Sequence, residues 1–159
     1  TDGMQVAKEL AAFVSANPYD LVIAGRESID YNGAMVPGIL AALLDIAFVP
    51  NCVGLEIDGN NAIAEREIDG GREKLKGNLP MVIGGQKGLV EEADLKIPNM
   101  RGIMQARQKP FEVLNPKGSE IPTKDVLFEK PAPKAEVKLV PADDIDQLIE
   151  LLHKEANVI

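Results

Sequence analysis

Residues 20–44 constrain the fold of this chain more than any other stretch, because the spacing of their apolar residues changes partway along. Residues 21–24 form a short apolar run with no polar face, which is typical of a strand buried on both sides of a parallel sheet. A turn-prone Asp-Tyr-Asn-Gly cluster follows at 30–33. From Ala34 the apolar residues recur at helical spacing, with a proline in the first turn. The stretch is therefore predicted to be a strand, a polar loop and a helix.

This arrangement is suited to binding phosphate. The first turn of a helix has unpaired N–H groups and a partial positive charge, and at the carboxyl end of a parallel strand both face a bound anion. A plain strand-to-helix connection that binds nothing is an equally open interpretation. These residues alone therefore leave a phosphate site and an empty loop as alternatives.

The flanking segments predict a parallel core with an antiparallel extension. Residues 4–14 form an amphipathic helical pattern, whose apolar stripe holds Val6, Leu10, Phe13 and Val14. Two Gly-containing turns, at 58–60 and 69–71, are hairpin signals. The predicted strands lie at 48–50, 55–57, 62–68, 72–79 and 81–84. The fold class is therefore α/β.

The last third of the chain predicts a helix, a linker and a second helix. Asn99 is a good N-cap for a helix at 100–108, whereas the glycine-rich residues 84–88 lack the pattern of a phosphate loop and predict a flexible turn. Prolines spread over 115–134 predict an extended arm. The remaining predicted elements are strands at 111–114 and 136–140 and a helix after Asp143-Asp144. We expect a domain at 1–114 and an arm with a C-terminal helix at 115–159.

Composition excludes several classes of protein. The formal net charge of −8 argues against nucleic acid as the main partner, because binding phosphates requires a basic face. Cys52 is the only cysteine, so no internal disulfide can form. No apolar run approaches the length of a membrane span, so we expect a cytoplasmic protein without membrane insertion. His153 is the only histidine, and it is remote in sequence from any nucleophile, so neither a catalytic triad nor a metal site is expected.

Three motifs in register identify a family. They are Ala24-Gly25-Arg26-Glu27-Ser28-Ile29-Asp30 with Asn32-Gly33-Ala34, then Arg66-Glu67-Ile68-Asp69-Gly70-Gly71, and finally Ile97-Pro98-Asn99-Met100-Arg101-Gly102-Ile103-Met104-Gln105-Ala106-Arg107. Together they resemble the β subunit of electron transfer flavoproteins, from about Gln5 to the C-terminus. The family's first motif usually reads Gly-(Arg/Lys)-Gln-Ala-Ile-Asp. The resemblance implies a Rossmann-like adenine-nucleotide-binding domain whose N-terminal part is missing here.

The resemblance also implies a cofactor site. In the family an α subunit holds most of an FAD, and the β subunit binds AMP or, in electron-bifurcating members, a second FAD. The matching positions are Ala24, Gly25, Arg26, Ser28, Ile29, Asp30, Asn32, Gly33, Ala34 and Val36, with the backbone N–H groups of the last four facing phosphate. Arg26 either adds charge to the site or caps the strand. Tyr31, Gly33 and Met35 depart from the family pattern, which leaves AMP and FAD both open.

Partner contacts follow from the third motif. In the family this segment engages acyl-CoA dehydrogenases and other redox partners, and the matching residues are Met100, Arg101, Ile103 and Met104. An ordinary core role for the two methionines is the alternative. In the family the arm embraces the α subunit, and packing on its own domain is the alternative. The charges at 65–67 are expected to form a cross-strand set rather than to contact the nucleotide.

The resemblance predicts an electron carrier subunit, not an enzyme with catalytic residues of its own. It passes electrons from a dehydrogenase to an acceptor. The rival interpretation is a stand-alone nucleotide-binding regulatory protein similar to the universal stress proteins, although their glycine-rich phosphate loop is not found. A purely structural assembly subunit is a third alternative.

Overall fold

The computed structural model describes residues 2–118, 123–134 and 136–159. The chain divides into two compact units, residues 1–124 and 125–159. Unit 1 holds a five-stranded sheet and three helices, and unit 2 holds a short helix that continues as a single π-helical turn.

The sheet of unit 1 has the strand order β1-β5-β2-β3-β4. Its strands are β1 (Leu21–Gly25), β2 (Ala47–Asp58), β3 (Asn61–Ile68), β4 (Gly71–Asn78) and β5 (Met81–Gly85). β5 pairs in parallel with β1 on one side and with β2 on the other, while β3 pairs antiparallel with β2 and β4. The predicted parallel core with antiparallel hairpins is therefore confirmed.

The expectation that residues 21–24 are buried on both sides was wrong. β1 lies at the edge of the sheet, and Ile23 is 61% exposed. The buried central strand is β5, where Met81, Val82 and Ile83 are at most 2% exposed. An unbroken apolar run fits both a central strand and an edge strand, so the run alone did not distinguish them.

β2 joins the parallel and antiparallel halves of the sheet. Its pairing shifts against β5 between Val49 and Cys52, and against β3 between Cys52 and Gly54. Asn51 lies at the first shift with a φ of 49°, a left-handed conformation that asparagine tolerates better than most residues. The irregularity lets one strand of twelve residues pair with β5 by its first part and with β3 by its second.

Both predicted hairpins are confirmed. β2 and β3 are joined by Gly59 and Asn60, and β3 and β4 by Asp69 and Gly70. The two glycines have φ values of 57° and 86°, the positive values that two-residue hairpin turns favour.

Two helices cover one face of the sheet. α1 (Gly3–Ala16) and α2 (Val36–Leu44) pack together over Val82 of β5, whose neighbours Met81 and Ile83 belong to the cluster on the opposite face. The predicted apolar stripe of α1 was partly wrong, because Ala7 and Ala11 are its buried residues and Leu10 and Phe13 are 42% and 38% exposed. Small alanines let helices approach closely, so they take the buried positions.

The third helix, α3 (Met100–Ala106), confirms the helix predicted after Asn99. The Asn99 side chain accepts a hydrogen bond from the Gly102 N–H at 2.8 Å, which satisfies one donor of the first turn. A single 3-10 turn (Glu92–Asp94) precedes the helix.

The strands predicted at 111–114 and 136–140 were wrong. Both segments are described without regular structure, and their apolar side chains are exposed: Phe111 by 89%, Val113 by 76% and Leu139 by 89%. A strand needs a partner for its backbone groups, and neither segment pairs with the sheet.

The helix predicted near the C-terminus is confirmed within unit 2. α4 (Ile145–Glu150) begins at Asp144, whose side chain accepts from the Gln147 N–H at 3.1 Å, and it continues as the π turn Leu151–Glu155. Lys154 and Glu150 form an ion pair one turn apart. Among the described residues, no helix combines the length and apolar character that crossing a membrane requires.

Candidate functional site

The loop between β1 and α2 lies at the carboxyl ends of two parallel strands. The Arg26 N–H donates to the Gly85 carbonyl at 3.0 Å, which fixes the start of this loop beside the end of β5. In open α/β sheets, ligands bind in the crevice outside the carboxyl ends of the strands. The loop with the predicted nucleotide-binding residues therefore occupies the usual ligand position of such a sheet.

A small hydrogen-bonded turn organises this loop. The Asp30 carboxylate accepts from the Ser28 hydroxyl and, at 2.9 Å, from the Tyr31 N–H. The Asn32 N–H donates to the Ser28 carbonyl at 2.9 Å, and Asn32 has a φ of 49°. The Ser28 hydroxyl first, and then the Tyr31 N–H, lower the pKa of Asp30 from its ordinary 3.8. Asp30 is thus a charged residue that shapes the loop.

The side chains of the loop are exposed, and the start of α2 presents backbone N–H groups. Ile29 is 95% exposed and Tyr31 70%. Met35 stands at the N-cap position of α2 and, within the described residues, no side chain caps the first turn. A helix N-terminus of this kind can accept a phosphate on its free N–H groups, so the residues present fit such a group.

The first residue of α1, Gly3, packs against the start of α2. A Cβ built on Gly3 would lie 2.6 Å from both Cγ and Sδ of Met35, and 3.4 Å from a methyl of Val36. A larger residue at position 3 would require the Met35 side chain to move. Met35 therefore packs on α1, although 53% of its surface remains exposed.

A polar concavity of about 460 Å³ opens beside the loop. It is lined by Arg26, Asn51, Arg66, Glu67, Ile68, Asp69 and Gln86, which come from the ends of β1, β3 and β5 and from the irregularity in β2. Among these lining residues, only Arg26 was predicted to bind the nucleotide.

Gln86 connects three elements at the concavity. Its backbone N–H donates to the Cys52 carbonyl of β2 at 2.9 Å, and its side chain accepts from Arg26 Nη1 at 3.5 Å and donates to the Glu67 carboxylate. Arg26 also pairs with Glu27. The Arg26 guanidinium is therefore held toward Gln86, at the rim of the concavity, between the loop and β3.

The second sequence motif has the cross-strand charge pattern that was predicted. Arg66 pairs with Glu73, and Glu65 accepts from Arg72 at 3.4 Å and lies 3.8 Å from Lys74. The same motif also lines the concavity through its first four residues, 66–69, which the charge pattern did not indicate. Sequence reasoning missed Asn51 and Gln86 as well. Their signals, an asparagine inside a strand and a glutamine directly after one, become informative only when the strand order is known.

The predicted partner-binding residues lie on α3 and are exposed. Met100 is 73% exposed, Met104 53% and Ile103 39%, and Arg101 is exposed beside them. The alternative that the two methionines are core residues is excluded for this chain by these values.

Other chemistry has no support in the described part of the chain. No group of three His, Cys, Asp or Glu side chains that could hold a metal ion occurs there. Cys52 is buried, its thiol donates to the Gly54 carbonyl at 3.2 Å, and burial raises its pKa above 9.0. A thiol in this state is a poor nucleophile.

Comparison with known proteins gives one consistent result. A family model described as "Electron transfer flavoprotein domain" matches residues 1–118. The electron transfer flavoprotein subunit beta of Bacillus subtilis is 33% identical over 99% of this chain and 64% of its own length. The subunit of the same name from Syntrophomonas wolfei is 31% identical over 81% of this chain and 50% of its own length. The human subunit is 34% identical over 71% and 43%. The chain thus spans between 43% and 64% of the length of these relatives.

Proposed function

Because this chain belongs to the electron transfer flavoprotein domain family, we propose that it serves as the nucleotide-binding part of a β subunit that works with a flavin-carrying α subunit. Electrons pass from a dehydrogenase to the FAD of the complex and onward to an acceptor. The redox chemistry belongs to the flavin, and the protein positions it, so this chain needs no catalytic residues of its own. The cytoplasm is its proposed compartment.

The observation that carries this proposal is the family match over residues 1–118, which includes the loop at the carboxyl ends of β1 and β5. The predicted nucleotide-binding residues lie at the end of β1, in the Asp30 turn and at the start of α2. In the proposed complex the N–H groups of Gly33, Ala34 and Val36 face the phosphate. The prediction that the Asn32 N–H does the same was wrong, because that N–H donates to the Ser28 carbonyl at 2.9 Å.

The bound nucleotide is AMP or a second FAD. Met35 and Gly33 contribute no side-chain hydrogen-bond donor to the loop, so the backbone carries most of the phosphate binding. Arg26 adds positive charge at the edge of the site, where Gln86 holds its guanidinium. These features suit either nucleotide, because both have a phosphate next to an adenosine.

The proposed docking surface for the redox partner is α3. Exposed methionines adapt to partners of different shape, and Arg101 and Arg107 give this helix a positive charge in an acidic protein. An acidic patch on an acyl-CoA dehydrogenase or another donor would complement that charge. The arm is the proposed contact with the α subunit.

The first experiment is co-expression with candidate α subunits, with the full-length Bacillus subtilis β subunit as positive control. We expect a yellow complex, and nucleotide extracted from it gives the cofactors. One FAD with one AMP identifies the ordinary carrier, and two FAD identify a bifurcating one. A colourless protein that binds none of the α subunits, while the control binds its own, contradicts the proposal.

The partner surface is tested separately in that complex. Met100→Ala should slow electron transfer from the dehydrogenase roughly ten-fold, because an exposed apolar anchor is lost, and should leave bound flavin unchanged. Val113→Ala is the matched control, since Val113 is 76% exposed but lies outside α3. Equal rates for wild type and Met100→Ala would remove α3 from the proposal.

A further inference from the structure

Asn32 and Gly33 form the only Asn-Gly pair in the sequence, and they lie in the loop between β1 and α2. Such a pair is chemically labile, because the backbone nitrogen of the second residue can attack the side-chain amide carbon of the asparagine. A glycine in the second position has no side chain to obstruct the attack. In a folded protein the reaction also requires that both groups are free and have room to meet.

Both reacting groups are free of hydrogen bonds. Across residues 2–118, 123–134 and 136–159, neither the side-chain amide of Asn32 nor the N–H of Gly33 has a hydrogen-bond partner. A backbone N–H that donates elsewhere is held away from a neighbouring side chain. The Asn32 N–H is held in this way, because it donates to the Ser28 carbonyl at 2.9 Å. The hydrogen bonding of the loop therefore ends just before the two groups that react.

The surroundings also leave space for the reaction. A Cβ built on Gly33 meets no heavy atom within 4 Å apart from its own chain neighbours. Asn32 is exposed, so water reaches its side chain. The loop therefore meets the steric requirement and supplies the water that the second step consumes.

We propose that Asn32 is a site of spontaneous deamidation, through attack of the Gly33 nitrogen on the Asn32 side chain. The Gly33 nitrogen loses its proton and bonds to Cγ of Asn32. The bond from Cγ to Nδ2 then breaks, and the amide nitrogen leaves as ammonia with that proton. Water opens the resulting five-membered cyclic imide at either of its two carbonyls. The products at position 32 are aspartate and isoaspartate, and water is the only co-reactant.

Deamidation changes the charge of the proposed nucleotide-binding loop. A carboxylate appears directly before the N–H groups of Gly33, Ala34 and Val36, where it repels an anion. This consequence rests on the proposed function, in which those groups face phosphate. It also implies protection, because a phosphate that accepts from the Gly33 N–H occupies the attacking group. Bound nucleotide therefore preserves Asn32, and loss of nucleotide leaves it open to reaction.

Peptide mapping by mass spectrometry, during incubation of the whole chain at mildly alkaline pH, is the first test. We expect position 32 to gain the mass of an amide-to-acid change, faster as the pH rises, because the Gly33 nitrogen must lose a proton. Asn157 is the internal reference, since its φ of 51° is close to the 49° of Asn32. Its side chain donates to the Glu155 carbonyl at 3.5 Å, and a valine follows it. An Asn32 that reacts no faster than Asn157 overturns the proposal.

Gly33→Ala is the matched variant, because it keeps the asparagine and changes the attacking residue. The added methyl has room, and the φ of Gly33 lies outside the left-handed region, so the fold should be retained, which circular dichroism checks. Because the methyl obstructs the attack, deamidation should slow roughly ten-fold or more. Equal rates in Gly33→Ala and wild type would show that Gly33 is not the attacking residue and would overturn the proposal.

The complex with an α subunit separates this inference from the proposed function. We expect slower deamidation in the complex that holds its copurified nucleotide than in the same complex after the nucleotide is removed. Equal deamidation in both would leave the modification in place and contradict a phosphate at Gly33. No deamidation in either would overturn the modification and leave the proposed function standing.

The effect of the product is measured directly with Asn32→Asp. Aspartate, like asparagine, tolerates a left-handed backbone, so this variant should fold. The complex that contains it should retain less nucleotide than wild type, because the new carboxylate repels phosphate. Asn32→Ser is the neutral control, which also lacks the amide and should bind nucleotide as wild type does. Equal binding by all three proteins would contradict the proposed effect of the charge on the nucleotide.

Discussion

The parallel and antiparallel halves of the sheet are built on different principles. In the parallel half, β5 buries Met81, Val82 and Ile83 between two layers of side chains, and its polar groups lie beyond the strand ends. In the antiparallel half, buried and more accessible residues alternate along the strands. β3 buries alanines on one face, and charged residues of β3 and β4 pair across the strands. Function is proposed at the strand ends of the first half, whereas the charges of the second half pair with one another across the strands, and Arg66 and Glu67 among them also line the concavity.

Asn51 marks the boundary between the two halves. β2 pairs regularly with β5 up to Val49, whose side chain is 5% exposed, and regularly with β3 from Gly54, while Cys52 between them pairs with both neighbours. Because of the irregularity between these two parts of β2, Asn51 lines the concavity together with Arg26. Polar residues from the two halves therefore meet at this one place, which is also where the predicted nucleotide loop begins.

The largest expected effect is on stability within the parallel half. Ile83→Ala leaves a cavity in a fully buried site and should lower the free energy of unfolding by about 2–5 kcal/mol. Ile23 is its register partner in β1 but is 61% exposed, so Ile23→Ala should cost about 1 kcal/mol or less. Urea denaturation measures both. Equal losses would mean that β1 is not an edge strand.

The second prediction concerns the strand-end loop. Ala34→Glu places a carboxylate just before the first turn of α2, where negative charge favours the helix but repels a phosphate. Nucleotide bound by the complex should fall at least ten-fold while thermal stability is unchanged or slightly raised. Ala42→Glu, on an exposed position of the same helix, is the control and should retain binding. If both variants bind equally, phosphate does not lie at α2.

The third prediction concerns the antiparallel half. Arg66 and Glu73 face each other across β3 and β4 with side chains 31% and 35% exposed. A double-mutant cycle of Arg66→Met and Glu73→Gln should give a coupling of about 0.2–1 kcal/mol that decreases with added salt. A coupling of several kcal/mol, insensitive to salt, would show that these charges act as a buried pair and that the two halves are less different than proposed.

The two halves also differed in how well the sequence predicted them. The hairpin turns at Gly59 and Gly70 were predicted correctly because local backbone chemistry determines them. The position of β1 was not, because strand order depends on contacts between segments far apart in the sequence. The loop after β1 was located through its glycine and polar residues, but Gln86 and Asn51 were missed because their meeting with Arg26 is a property of the assembled sheet. A strand was wrongly predicted at 111–114 because its residue types favour strands, but this described segment does not pair with the sheet.

The smallest and most local expected effect is a change in the pKa of Asp30. Its pKa is lowered chiefly by the Ser28 hydroxyl, so the hydrogen-bonded loop is favoured above the ordinary pKa of 3.8 and loses this contribution as the pH falls through the lowered value. Ser28→Ala should bring the pKa of Asp30 back toward its ordinary value, which the carboxyl carbon chemical shift measures by NMR. Because Asp30 is fully exposed to solvent, global stability should hardly change. Asp2, whose lowered pKa depends chiefly on Thr123, is the internal reference and should not move. A parallel shift of both carboxyls would mean that the substitution acts on the whole fold and that the loop does not hold its own conformation.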